Sequence, residues 1–129
     1  MQESTFVLEA ADGQKLFCSR WSGDATPRAV VQIAHGASEH GARYARVAEA
    51  LVAAGYEVYA DDHRGHGRTA ADHGVFGVAR PGGWGAMVTD QHDITLRIQA
   101  DHPGVPIVLF GHSMGSMMAQ AYIQTWATD

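Results

Sequence analysis

The sequence is poor in cysteine, in positive charge and in long apolar runs, and each shortage narrows what the chain can do. Cys18 is the only cysteine among 129 residues, so no internal disulfide can form. A reducing, cytoplasmic setting is the default expectation for such a chain. Nine Lys and Arg stand against 14 Asp and Glu, a formal charge of −5. That balance argues against nucleic acid, because phosphate binding wants a basic face. No stretch approaches the ~20 apolar residues of a transmembrane helix. The first five residues, MQEST, have neither the basic n-region nor the apolar h-region of a secretory signal. Repeats of solenoid period and low-complexity tracts are absent too. What is present is a globular composition, 46% hydrophobic and 18% charged, sufficient for the core of one domain. The 15 glycines gather in a few loops, and those loops are where chemistry should be sought.

Phe6–Glu9 and Lys15–Trp21 are rich in β-branched and aromatic residues and flank Asp12-Gly13, a hairpin turn signal. Residues 29–34, AVVQIA, form an apolar run of the length of a buried parallel strand. A glycine-bearing loop, 35–41, follows. Tyr44, Val47, Ala48, Leu51 and Val52 then share one face of a helix predicted over 44–54, with Gly55 placed to end it. Residues 57–61, EVYAD, predict a strand, and 62–69 a second glycine loop. Residues 70–85 read as irregular. A helix is predicted over 87–100, stopped by His102-Pro103-Gly104, then a strand over 106–110, PIVLF, and a helix over 114–127. A hairpin followed by β-α-β-α-β-α predicts a parallel sheet with helices on its faces.

Gly111-His112-Ser113-Met114-Gly115 fits G-x-S-x-G between the strand PIVLF and a helix rich in small residues. A serine on so sharp a turn stands clear of the sheet, and side chains two residues to either side would strike neighbouring backbone. The following helix end offers N–H groups and positive potential to an oxyanion. These features make Ser113 the candidate nucleophile and the Met114 N–H one candidate oxyanion donor. A second donor is expected from the loop after the third strand, His35-Gly36-Ala37-Ser38-Glu39-His40-Gly41. Gly36 lets the chain turn there and leaves the Ala37 N–H open. The blander alternative for both segments is a plain strand–helix connection.

Taken together, GHSMG at 111–115, HGASEHGARYARVAEAL at 35–51 and DDHRGHGRT at 61–69 resemble the monoacylglycerol lipase and lysophospholipase branch of the α/β-hydrolases, often grouped with the serine aminopeptidases. The likeness runs from about Thr5 to the last residue, with Thr69 where serine is usual. It implies an α/β-hydrolase fold with strand order 1-2-4-3-5-6-7-8. It also implies Ser113 as nucleophile, Ala37 and Met114 as oxyanion donors, and His35, Gly36, Gly111, His112 and Gly115 as the supporting motif. The substrate implied is a small, lipid-like acyl ester, with no metal or organic cofactor.

Two decoys are set aside. Asp61, Asp62, His63 and His66 resemble metal ligands, but no downstream group completes a pattern. Residues 65–70, GHGRTA, match G-x-G-x-x-A, but no helix is expected to open at once, as a dinucleotide site requires. Of the eight histidines, none is expected to be the base. His112 should diverge from Ser113, while His35 and His40 should hold the oxyanion loop by hydrogen bonds. His92 and His102 fall in or after an outer helix. Met114, Met117 and Met118 are expected in core and pocket lining, and Trp84 and Trp126 over sheet edges or helix ends.

The order Ser, then Asp or Glu, then His leaves this sequence short. Sixteen residues follow Ser113, with no histidine and with Asp129 as the sole acid. Residues 1–129 are therefore expected to be the N-terminal half of one α/β-hydrolase domain of roughly 250 residues, truncated after the nucleophile helix, without cap, acid or histidine. As such a piece it should be inactive and should self-associate through strand 106–110. A transferase or peptidase with the same elbow, and a non-catalytic binding protein of the same fold, remain open.

Overall fold

The computed structural model describes residues 1–72, 74, 77 and 82–126. The predicted hairpin is longer than expected: β1 (Gln2–Glu9) and β2 (Lys15–Ser22) pair antiparallel around the Asp12-Gly13 turn. Then come β3 (Val30–Ala34), a 3-10 turn (Gly41–Tyr44), α1 (Ala45–Ala53) and β4 (Glu57–Asp61). They are followed by α2 (Gly67–Ala71), α3 (Gly83–Asp101), β5 (Ile107–Gly111) and α4 (Met114–Trp126). One mixed sheet runs β1-β2-β4-β3-β5, with β3 parallel to both β4 and β5. This is the order the resemblance implied, as far as the strands go.

The sheet buries a different set of side chains on each face, as its two-residue period demands. Val31, Ile33, Val58 and Ala60 pack with Trp21 against Tyr44 and Ala48 at the start of α1. Val30 and Tyr59 meet Ile94 and Ile98 of α3 on the other side. Gly55, at φ 94°, ends α1 as expected. Val47 departs from the predicted apolar face. It is 44% exposed and lines a cleft with Phe110 and His112 instead of the core.

Other boundaries moved. Residues 67–71 form a short helix where a loop was predicted, and α3 opens four residues early, through Gly83-Trp84-Gly85-Ala86. Gly82 takes φ 87° just before it, a conformation that costs glycine little. Met118 is fully buried, but Met117 is 57% exposed, so only part of the methionine set lines the core. Trp84 sits on the first turn of α3, a helix end as expected, and is 44% exposed. Trp126 stacks on His92 of α3 at 4.4 Å. Part of the irregular stretch 70–85, the end of the last helix at Ala127 and the acid Asp129 lie outside the described residues.

Candidate active site

The elbow joins β5 to α4. Ser113 has φ 56°, a left-handed conformation unusual for a residue with a side chain. Space explains the glycines around it. A Cβ on Gly111 would overlap the carbonyl of Gly115, and one on Gly115 would overlap the carbonyl of Ala34 in β3. The helix therefore starts pressed against the sheet, with Ser113 exposed at its N-terminal end. Ser116 and Met117 donate back to the Ser113 carbonyl, at 2.9 and 3.3 Å. The Met114 N–H, ahead of the first helical bonds, meets no acceptor among the described residues.

The second loop reaches the same point. Gly36 comes so close to the elbow that a Cβ there would stand 3.2 Å from the Ser113 Cβ and the His112 carbonyl. Close approach, more than turning, is thus what this position requires; the left-handed residue of the loop is Ser38, at φ 60°. The turn from Gly36 to Glu39 is closed twice. The Glu39 N–H donates to the Gly36 carbonyl at 3.3 Å, and the Gly36 N–H donates to Glu39 Oε2 at 2.6 Å. Ala37 sits exposed at the tip, and its N–H has no acceptor among the described residues.

Behind the loop lies a buried polar network. His35 Nε2 accepts the His63 backbone N–H at 3.0 Å, so its proton is on Nδ1, which donates to the Gly36 carbonyl at 2.7 Å. Burial, and then the charge of His63, hold His35 down to about 4. His63 is the opposite case. Both its ring nitrogens face acceptors, Asp61 Oδ2 at 2.9 Å and the His35 carbonyl at 3.0 Å. Burial alone would lower its pKa, but the Asp61 carboxylate outweighs it and the pKa rises. His40 departs from expectation, since it holds the next turn through its carbonyl, which takes the Arg43 N–H, and not through its ring.

The charged residues of 61–68 are directed to separate partners. Asp61 also accepts from Gln91, at 3.1 Å. Asp62 takes the Gly41 N–H at 2.7 Å and the Arg68 N–H at 2.9 Å. Arg64 forks onto Asp90 of α3, at 2.7 and 2.9 Å, and also holds Asp12 of the hairpin turn. Among the described residues no group of three His, Cys, Asp or Glu is placed to hold a metal ion. A helix does open within GHGRTA, contrary to expectation, but Asp62 fills its N-terminus. A Cβ on Gly67 would already lie 2.6 Å from Asp62 Oδ2, and the carboxylate would repel a phosphate there.

No described side chain hydrogen-bonds Ser113. His112 turns away, its Nδ1 3.3 Å from Glu39 Oε2. Sequence reasoning passed over Glu39, although an acid three residues after Gly36 is the spacing at which a side chain returns to a turn's first N–H. Two clefts adjoin Glu39. One of about 260 Å³ is lined by Glu39, Arg43, Tyr44, Val47, Phe110 and His112. The other, about 510 Å³, runs between residues 38–40 and 65–67. A larger cleft, about 750 Å³, lies away from Ser113 between α3, α4 and β5.

The family described as serine aminopeptidase, S33, matches residues 25–129. The monoglyceride lipase of Homo sapiens is 38% identical over 112 residues, 87% of this chain and 35% of that protein. A monoacylglycerol lipase of Mycolicibacterium smegmatis is 38% identical over 110 residues, 85% of this chain and 38% of that protein. A thermostable carboxyl esterase from Bacillus coagulans, solved with glycerol, superposes with a TM-score of 0.91 at 35% identity. That match covers 98% of this chain and 41% of the esterase. The chain spans little more than a third of the length of these two lipases.

Proposed function

The chain belongs to the serine aminopeptidase S33 family and has the α/β-hydrolase fold, and from that we propose that it carries the nucleophile and oxyanion hole of a serine ester hydrolase. The observation that supports this most is the close approach of the loop that carries Ala37 to the elbow, a Cβ on Gly36 standing 3.2 Å from the Ser113 Cβ, with the Ala37 and Met114 N–H groups untaken among the described residues. Ser113 attacks the ester carbonyl as a histidine removes its proton. The two N–H groups hold the developing oxyanion, the alcohol leaves, and water hydrolyses the acyl-enzyme. The monoglyceride lipase relatives support a glycerol monoester or similar lipid-like ester as substrate. The mechanism needs a histidine base and an acid to orient it, and no described side chain hydrogen-bonds Ser113.

No helix among the described residues is long and apolar enough to cross a membrane. The single buried Cys18 supports a cytoplasmic setting.

The test is covalent. A fluorophosphonate should label the full-length protein at Ser113, mapped by mass spectrometry, and Ser113→Ala should abolish labelling and nearly all turnover. Labelling elsewhere, or none in an active preparation, refutes the assignment. The 129-residue chain alone should not turn over a short nitrophenyl ester. Sustained Ser113-dependent hydrolysis by it would mean that one of its own histidines reaches Oγ.

A further inference from the structure

We propose that Glu39 is a positioning residue of the oxyanion hole, its carboxylate fixing the span between the loop that carries Ala37 and the elbow that carries Met114. The inference rests on the reading of Ser113, Ala37 and Met114 given above.

Three donors from three different places converge on Glu39 Oε2. They are the Gly36 N–H at 2.6 Å, the Tyr44 hydroxyl at 3.1 Å and His112 Nδ1 at 3.3 Å. Gly36 immediately precedes Ala37, and His112 immediately precedes Ser113. One oxygen therefore holds the residue before Ala37 and the residue before the nucleophile, and Tyr44, buried against the core, holds that oxygen. The carboxylate is only 14% exposed on its side chain, and Arg43 Nε stands 3.7 Å from its other oxygen. Burial would raise its pKa, but the bonds from Gly36, His112 and Tyr44 bring it below the ordinary value, so it is the ionised form that is held.

Without this carboxylate the turn keeps only its 3.3 Å backbone bond. The left-handed Ser38 within it is a conformation that persists only when its surroundings over-determine it. The loop would relax, and the Ala37 N–H would lose its aim. Because an oxyanion donor acts chiefly in the transition state, the loss should fall on kcat and leave KM nearly unchanged. Glutamine keeps an acceptor for the Gly36 N–H and should restore most of the function.

In the full-length protein, nitrophenyl ester hydrolysis by Glu39→Ala should fall in kcat by about 10–100-fold, below the ~10²–10³ of a donor removed outright. KM should stay within about threefold, and Glu39→Gln should recover to within about threefold of the parent kcat. Circular dichroism and a thermal melt at the assay temperature normalise each rate to folded protein, so simple destabilisation does not reproduce the pattern. A folded Glu39→Ala with the parent kcat overturns the clamp. So does a rise in KM at constant kcat, which would make Glu39 a substrate contact. Equal losses in the Ala and Gln variants would make the charge, not the bond to Gly36, the active feature, and overturn it too. If the unaltered protein neither labels at Ser113 nor turns over ester, the hydrolase reading fails and the clamp with it. If the unaltered protein is active, a negative result removes the clamp alone.

Discussion

Ser38 and Ser113 are the two non-glycine residues with left-handed backbone among those described, and they lie one on each side of the candidate oxyanion hole. Such conformations cost about 1–3 kcal/mol each and survive where packing and hydrogen bonds hold them. Here the holding groups are identifiable: Gly36 and Gly115, whose hydrogens fit where a methyl would not, and the Glu39 carboxylate. The geometry puts a specific demand on residue 37, which must present a backbone N–H. Ala37→Pro removes that donor and should lower kcat of the full-length protein by roughly 10²–10³-fold. Ala37→Gly keeps the donor and should stay within about tenfold of the parent. Steady-state kinetics on the two variants decides the matter, and equal losses would place the effect in the loop's shape and not in the N–H. The elbow was legible in the sequence because glycine at 111 and 115 has few other reasons to flank a serine. Glu39 was legible only in its spacing to Gly36; nothing local announces its meeting with His112, 73 positions away.

The loop after β3 is fastened to the loop after β4 by two stacked histidines shifted in opposite directions, with ring centres 3.7 Å apart. His35 is held neutral, down to about 4, against an ordinary value near 6.5. The unfolded chain therefore binds the extra proton between roughly pH 6.5 and 4. The stability His35 contributes is complete above that window and is lost as the pH falls through it. His63 has its value raised, the Asp61 carboxylate outweighing burial. Its contribution is complete below about 6.5 and disappears as the pH rises through the folded value. The two limbs meet near the ordinary histidine value. In the full-length protein, His35→Gln keeps an acceptor for the His63 N–H and has nothing to titrate. The urea midpoint of the parent should fall relative to His35→Gln between pH 6.5 and 4. Asp90, which burial pushes up to about 6, titrates in the same window in the opposite sense but cancels in that difference. A constant difference across the window would show that His35 is not held neutral. Strands β3, β4 and β5 were readable as short apolar runs, and the end of α1 from Gly55. The start of α3 was hidden, because Gly83 and Gly85 are poor helix formers and tertiary contacts override them. The short α2 was hidden for a related reason. It is anchored at its start by Asp62, which takes the Arg68 N–H and faces Gly67 closely, and not by any pattern of its own.

The sheet ends differently on its two sides. On one edge, β1 carries Glu3 and Glu9. On the other, β5 is Ile107-Val108-Leu109-Phe110-Gly111, paired among the described residues only to β3 and without a charge. Val108 and Phe110 are 51% and 46% exposed there. Met117 and Ile123 of α4 add apolar surface at 57% and 53%. Beneath the strand, the cleft of about 750 Å³ is walled by Ile107, Leu109, Tyr122, Ile123 and Trp126. An uncharged edge strand beside apolar surface is a template for another strand, and proteins ordinarily blunt such edges with charge or cover. Burying that surface gains about 25 cal/mol per Å², a substantial inducement against a typical domain stability of ~5–15 kcal/mol. Produced as 129 residues, the chain should therefore form dimers or larger species at micromolar concentration, measured by size-exclusion chromatography with light scattering. Val108→Lys sets a charge on the exposed face of β5, away from Ser113, and should shift the population toward monomer. A monodisperse parent with a sharp cooperative melt would mean that β5 is tolerated as an open edge. Unchanged association in Val108→Lys would move the contact to α4, where Met117 and Ile123 are the next residues to charge.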